Sequence, residues 1–225
     1  MNLAAMTPFK EDMQKALHWF TSEVERSSVK IMLNTEANAN TIIAGNFEHA
    51  VISCGSVPTI PPIKGIDRAI DFKSFLEQGK NALPSGKNVA IIGGGTVGCE
   101  IAHLLIEVGC KVTVLEMLQD FCNGMEIMHK GLLLNALNEK ATMESSVLVK
   151  EISESGVIYT RKDGSEVVCS AEIVVCSTGQ CPLGRELEQE LAANGIVTHR
   201  LGESISTPGN IRTATRSALD LAYAV

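Results

Sequence analysis

No apolar run in the 225-residue chain approaches the roughly 18 residues that a membrane-spanning helix needs. The opening stretch, MNLAAMTPFKEDMQ, lacks the basic-then-apolar order of a signal peptide, so the expected location is the cytoplasm. Basic residues are outnumbered: 19 Lys and Arg stand against 26 Asp and Glu, a formal charge of -7. That balance argues against nucleic acid or an anionic membrane as partner, because both select Lys/Arg surfaces. The seven cysteines, Cys54, Cys99, Cys110, Cys122, Cys169, Cys176 and Cys181, are odd in number and contain no Cys-x-x-Cys pair. Neither a disulfide framework nor a zinc or iron-sulfur centre is indicated, and most are expected to be small buried hydrophobes. His18, His103, His129 and His199 share no spacing with acids or cysteines and read as surface or packing residues. Internal repeats and low-complexity tracts are absent. What remains is a chain with 45% hydrophobic residues, enough to fill the core of one large domain or two small ones.

Periodicity supplies the elements. Phe9, Met13, Leu17, Phe20 and Val24 recur at helical spacing over residues 9–26, and a strand is expected at 29–33. A short helix at 41–44 and a buried strand ending at Gly55 follow, after which Pro58, Pro61 and Pro62 make 57–65 a connection. An amphipathic piece spans 70–76, and Pro84-Ser85-Gly86 marks a boundary. Residues 88–92 are continuously apolar, as in a parallel strand buried on both faces. Val97, Ile101, Leu104, Leu105 and Val108 keep helical spacing, Gly109 supplies a stop, and 112–115 reads as a second strand. A helix at 127–140 precedes short strands at 147–152, 157–161, 167–169 and 173–176, with Asp163-Gly164 as a hairpin turn. The last 45 residues read as loop and helix, closing with a helix at 211–224.

Between the strand at 88–92 and its helix lies Gly93-Gly94-Gly95-Thr96-Val97-Gly98, which matches the dinucleotide fingerprint Gly-x-Gly-x-x-Gly. The first glycine makes the tight turn, the second lets a pyrophosphate approach the backbone, and the third lets helix and strand pack closely. The anion then meets free amides at a helix start. Glu116 ends the second strand, 18 residues beyond Gly98. Its carboxylate can accept both hydroxyls of an adenine ribose and repels a 2′-phosphate, and 117–120 offers no arginine to reverse the sign, so NADH is expected over NADPH. A solvated acid at a strand end is the plainer alternative. Glu100 either faces the nicotinamide pocket or is a first-turn acid favoured by the helix dipole. Gly179, after Cys176-Ser177-Thr178, either permits close backbone approach to a ligand or ends a strand in an ordinary turn.

The runs Val89-Ala90-Ile91-Ile92-Gly93-Gly94-Gly95-Thr96-Val97-Gly98-Cys99-Glu100 and Val112-Thr113-Val114-Leu115-Glu116-Met117-Leu118 resemble the C-terminal nucleotide-binding region of old yellow enzyme-like multidomain reductases, the 2-enoate and 2,4-dienoyl-CoA reductase group. Asn2-Leu3-Ala4-Ala5, Lys10-Glu11, Asn34-Thr35-Glu36, Ser53-Cys54-Gly55-Ser56-Val57-Pro58 and Ser177-Thr178-Gly179 extend the resemblance over nearly the whole chain. It implies that Gly93, Gly95, Gly98 and Glu116 hold NAD(H), that Glu100 and Gly179 lie near the nicotinamide, and that Gly202-Glu203 stands where the family's Gly-Asp contacts the FAD ribityl chain. In that group an N-terminal barrel carries FMN and a 4Fe-4S cluster. Electrons pass from NADH through FAD to an activated carbon-carbon double bond. Here the first glycine is Gly45, so the FAD domain's own glycine-rich βαβ unit is not in the sequence, nor is the barrel.

The expectation is an α/β, Rossmann-like three-layer domain of parallel sheet plus antiparallel meander at 84–182. A truncated FAD-domain-like lobe is expected from 1–83 and 183–225. The chain is read as a piece of the NADH:flavin oxidoreductase, its partners being the dinucleotide and the missing barrel and FAD segment. Uncovered sheet edges favour self-association. Two other readings fit the same turn: a non-catalytic module that senses NADH, and a methyltransferase, against which the meander and Ser177-Thr178-Gly179 count.

Overall fold

The computed structural model describes residues 2–8, 10, 12–205 and 209–225. Phe9, which opens the predicted helical stripe, and Glu11 lie outside the described residues. In chain order the elements begin with α1 (Asp12–Arg26), α2 (Ala39–Ala44), β1 (His49–Ile52), β2 (Ser56–Pro58), β3 (Ile70–Asp71) and α3 (Phe72–Glu77). Then come β4 (Asn88–Ile92), α4 (Thr96–Glu107), β5 (Lys111–Leu115), α5 (Ile127–Lys140) and β6 (Thr142–Glu144). The strands β7 (Leu148–Ser153), β8 (Gly156–Thr160), β9 (Glu166–Ser170) and β10 (Ile173–Cys176) follow, and β11 (Gln180–Pro182), α6 (Arg185–Ala193), β12 (Val197–Arg200) and α7 (Ile211–Ala222) complete the chain. No helix of the described residues is long and apolar enough to cross a membrane.

Two compact units result, Met1–Ser28 with Pro58–Gly179 and Val29–Val57 with Gln180–Val225. In the first, β3-β10-β4-β5-β6 form a sheet in which every pairing is parallel. Alternate residues of β4 serve its two faces. Val89 and Ile91 pack with Phe75 of α3, Ile101 and Leu105 of α4 and Leu137 of α5, while Ala90 and Ile92 pack with Ile152, Val157 and Tyr159 of the antiparallel meander β7-β8-β9. Helices, parallel sheet and meander make the expected three layers, with burial of a side chain such as Ile91 worth about 1.5–3 kcal/mol.

Several expectations need correction. Residues 29–33 form no strand: Val29, Ile31, Met32 and Leu33 are all at least half exposed, and β-branched content does not make a strand without a pairing partner. Residues 70–76 divide into the edge strand β3 and α3, because the Asp71 carboxylate accepts the Lys73 and Ser74 amides and starts the helix there. The run 173–176 is not a further meander strand but the centre of the parallel sheet, between β3 and β4. Residues 58–83 and 1–28 pack in the same unit as that sheet, so the units do not divide at residues 83 and 84.

In the second unit β1 and β12 pair in parallel, and α2 and α6 cover a small core of Ala39, Ile52, Leu191 and Ile196. β1 is buried only at Ile52, not throughout as its apolar sequence suggests. β12 falls in the last 45 residues, and β11 runs into them from Gln180, where only loop and helix were expected.

Candidate functional site

The carboxyl end of β4 is where the chain's crossover changes direction: α4 carries it to β5 on one side, and β10 returns on the other. In open parallel sheets, ligands bind in the crevice outside such an end. Gly93 leaves β4 with φ +105°, and a Cβ there would strike the carbonyl of Ser177 at the end of β10. Gly98, in the first turn of α4, could carry no Cβ without meeting the Gly93 carbonyl. These two glycines therefore bring turn, helix and neighbouring strand together. Gly95 differs: a Cβ would meet nothing within 4 Å, and its φ of -67° is one any residue adopts. It caps α4 without a side-chain hydrogen bond, and the first intrahelical bond is Cys99 N–H to the Gly95 carbonyl, at 3.0 Å. The amides of Thr96, Val97 and Gly98 therefore lie ahead of the helical ladder. The second glycine of the fingerprint leaves an open approach to an uncapped helix start.

Glu116 is buried, with 9% of its surface exposed, which excludes a freely solvated acid. Its Oε2 accepts the Gly94 N–H at 2.5 Å and Oε1 accepts the Leu118 N–H at 2.7 Å. The carboxylate thus braces the glycine turn itself. Each oxygen keeps a further lone-pair direction for a donor. Phe121 covers the other side of Gly94, where a Cβ would come 2.8 Å from its ring Cε1.

Glu100 is on the first turns of α4 and forms an ion pair with Lys10, Nζ to Oε1 2.5 Å, with side-chain exposures of 29% for Lys10 and 13% for Glu100. Lys10 stands out in the sequence only through the family resemblance, and its partner lies 90 residues away, so no local signal announces the pair. Ser177-Thr178-Gly179 continues from β10. The Thr178 hydroxyl donates to the Thr59 carbonyl at 3.1 Å, the Thr59 amide donates to the Gly179 carbonyl at 3.0 Å, and Gly179 has φ +102° with open space around it.

Gly93 to Gly98, Glu100 and Glu116 are thus gathered around one turn, with Gly179 on the strand end beside it. Gly202 and Glu203 belong to the second unit. There, Ser56 Oγ lies 2.6 Å from Gln180 Oε1 and 3.0 Å from Glu203 Oε2, and Ser204 Oγ accepts the Gly55 N–H at 2.8 Å. The sequence also passed over His49, whose ring stacks on His199 in that unit.

Comparison with known proteins bears on the family and the fold. Residues 8–209 match the family model described as pyridine nucleotide-disulphide oxidoreductase. The chain is 31% identical over 232 residues to the NADH oxidase of Thermoanaerobacter brockii, covering 100% of this chain and 35% of the relative. It is 30% identical over 176 residues to the cinnamate reductase of Clostridium sporogenes, covering 76% of this chain and 26% of that protein. A structure of 2-naphthoyl-CoA reductase with 2-naphthoyl-CoA superposes with a TM-score of 0.79 at 25% identity, over 90% of this chain and 31% of that one. The chain therefore spans about a third of the length of these proteins.

Proposed function

From a chain that belongs to the pyridine nucleotide-disulphide oxidoreductase family, we propose an NADH-binding role within an old yellow enzyme-like NADH:flavin oxidoreductase that reduces an enoate-type carbon-carbon double bond. The observation that carries this reading is the open, uncapped helix start at Gly95, closed on its flanks by Gly93 and Gly98 and braced by Glu116. NAD(H) fits these residues: a Cβ-free space admits a diphosphate to the Thr96, Val97 and Gly98 amides, and a buried carboxylate with spare lone pairs stands beside it. The nicotinamide supplies hydride when bound.

The residues then have separate tasks. The amides at the start of α4 hold the diphosphate, with the helix dipole adding about 0.3–1 kcal/mol. Glu116 accepts the ribose hydroxyls, each charge-assisted contact worth about 1.5–3 kcal/mol. A 2′-phosphate about 4 Å from that carboxylate costs around 4 kcal/mol at an effective dielectric near 20. Glu100, fixed by Lys10, and the Gly179 backbone border the nicotinamide side of the site.

FAD fits less well. Gly202 and Glu203 suit a ribityl contact, but the sequence holds no second glycine fingerprint to cradle its diphosphate. No step through FAD is derived for this chain. We infer that the remaining FAD segment and a barrel with FMN and a 4Fe-4S cluster come from a partner or adjoining polypeptide, consistent with the third of the relatives' length spanned here. The test is to purify the chain, record its visible spectrum and titrate NADH by fluorescence. NADH binding by a colourless protein is the expected result; failure to bind NADH overturns the reading.

A further inference from the structure

We propose that His49 and His199 form a two-histidine site for a divalent transition-metal ion of the Zn²⁺ class, which pins β1 to β12 in the second unit. The site is independent of the NADH reading.

The two residues are 150 positions apart and are brought together by the parallel pairing of β1 with β12, whose register sets His49 against Val197 and Val51 against His199. Successive side chains of a strand alternate between faces, so His49 and Val51 share one face with Val197 and His199. The opposite face carries Ala50 and Ile52 into the small core with Leu191 and Ile196. The histidine face is the open one: His49 is exposed, His199 is half-buried, and Val51 and Val197 leave about half of their surface accessible. An ion therefore reaches the pair without passing through the core.

On that face Nδ1 of His49 lies 3.2 Å from Nε2 of His199, with the ring planes 8° apart. Two imidazole nitrogens at the zinc bond length of about 2.0–2.1 Å are separated by about 2.9 Å at a right angle and about 3.4 Å at the tetrahedral angle. The observed gap falls between these limits, nearer the tetrahedral one. The same gap suits an N–H···N hydrogen bond, in which one ring donates and the other accepts. When the ion binds, that proton is carried on the far nitrogen of its own ring instead, so both facing nitrogens offer lone pairs while both imidazoles stay neutral. A small turn of each ring then points the two lone pairs at one ion.

Imidazole suits Zn²⁺, Cu²⁺ and Ni²⁺, whereas Mg²⁺ and Ca²⁺ take oxygen ligands, and this sets the class of ion. Among the described residues no group of three or more His, Cys, Asp and Glu side chains is placed to hold a metal, so water fills the remaining positions and the ion stays exchangeable. The consequence is local. β1 and β12 are the only strands of their sheet among the described residues, and two strands alone make a marginal sheet. An ion bound to one side chain from each strand ties them together.

The experiment uses the whole chain, freed of metal by chelation and with its exposed thiols, Cys54 and Cys181, blocked by alkylation because thiolates compete for zinc. Zn²⁺ is titrated calorimetrically, and diethyl pyrocarbonate modification of each histidine is mapped with and without it. The expected result is one Zn²⁺ per chain, with His49 and His199 protected while the exposed His18 and His129 go on reacting. The thermal midpoint should rise by about 5–10 °C at 100 times the dissociation constant. His49→Gln and His199→Gln should each weaken binding by about 10-fold or more, and Mg²⁺ should give no heat. No binding up to about 1 mM Zn²⁺ overturns the proposal. So does binding that leaves both histidines reactive, that survives undiminished in either variant, or that leaves the midpoint unmoved. Protection is read on the unaltered chain, so a variant that misfolds leaves the test intact.

Discussion

Replacing Gly95 by alanine separates what the turn does for folding from what it does for binding. The added methyl meets nothing within 4 Å and the backbone at Gly95 is in an ordinary extended conformation, so neither a clash nor strain is introduced. Alanine is a poorer N-cap than glycine by about 1 kcal/mol, and the unfolded chain loses entropy worth about 0.4–1 kcal/mol in the opposite sense. The two nearly cancel, so the thermal midpoint should move by no more than a few degrees, since about 1 kcal/mol shifts a domain of this size by roughly 2–4 °C. Binding has no such offset. The methyl occupies the space through which a diphosphate reaches the helix amides, and losing even one charge-assisted hydrogen bond of about 1.5–3 kcal/mol weakens NADH by about 10- to 150-fold. Circular dichroism melts and fluorescence titrations on the same preparation read both quantities. Gly95→Ala with unchanged midpoint and unchanged NADH affinity would refute the argument. Gly98→Ala is the internal contrast: its methyl meets the Gly93 carbonyl, so it should destabilise by about 1–3 kcal/mol.

Glu116→Gln offers one acceptor where the structure uses two, against the amides of Gly94 and Leu118, and should cost about 1–3 kcal/mol in a urea melt while narrowing any preference for NADH over NADPH. Lys10→Met removes the cation facing the mostly buried Glu100; a loss of about 1–2 kcal/mol is expected, between the exposed and buried limits, and a double-mutant cycle with Glu100→Gln should show positive coupling. Hydrogen bonding from the Arg161 guanidinium, outweighing partial burial, holds the Glu144 carboxyl below its ordinary value. A lowered folded-state value stabilises the protein above the unfolded pKa of about 4.3 and loses that contribution as pH falls through the folded value. The stability gap between the native chain and Glu144→Gln should therefore shrink on going from pH 7 to below about pH 4, and a gap that grows on acidification would contradict the assignment.

The parts of this molecule that were readable from sequence are those whose signal is local. Asn88–Ile92, Gly93 to Gly98 and the helix after them announce themselves because strand burial, a positive φ and a close helix-strand approach each restrict residue type within a few positions. Residues 173–176 were recognised as a strand but not as the partner of β4, since an apolar run carries no record of what it pairs with. The three-residue β6 and the strands β11 and β12 are too short or too polar to show a period. At the site, Glu116 was legible as an acid at a strand end, but its grip on Gly94 depends on a side-chain direction that spacing does not encode. Lys10 with Glu100 is a product of the tertiary fold alone.

The central claim is that one glycine turn and one carboxylate make this chain a binder of NADH in particular. Parallel titrations of the purified chain with NADH and with NADPH, at matched ionic strength, test it directly. A repulsion near 4 kcal/mol at Glu116 predicts NADH tighter by about 100- to 1000-fold. Equal affinities, or a preference for NADPH, would contradict it.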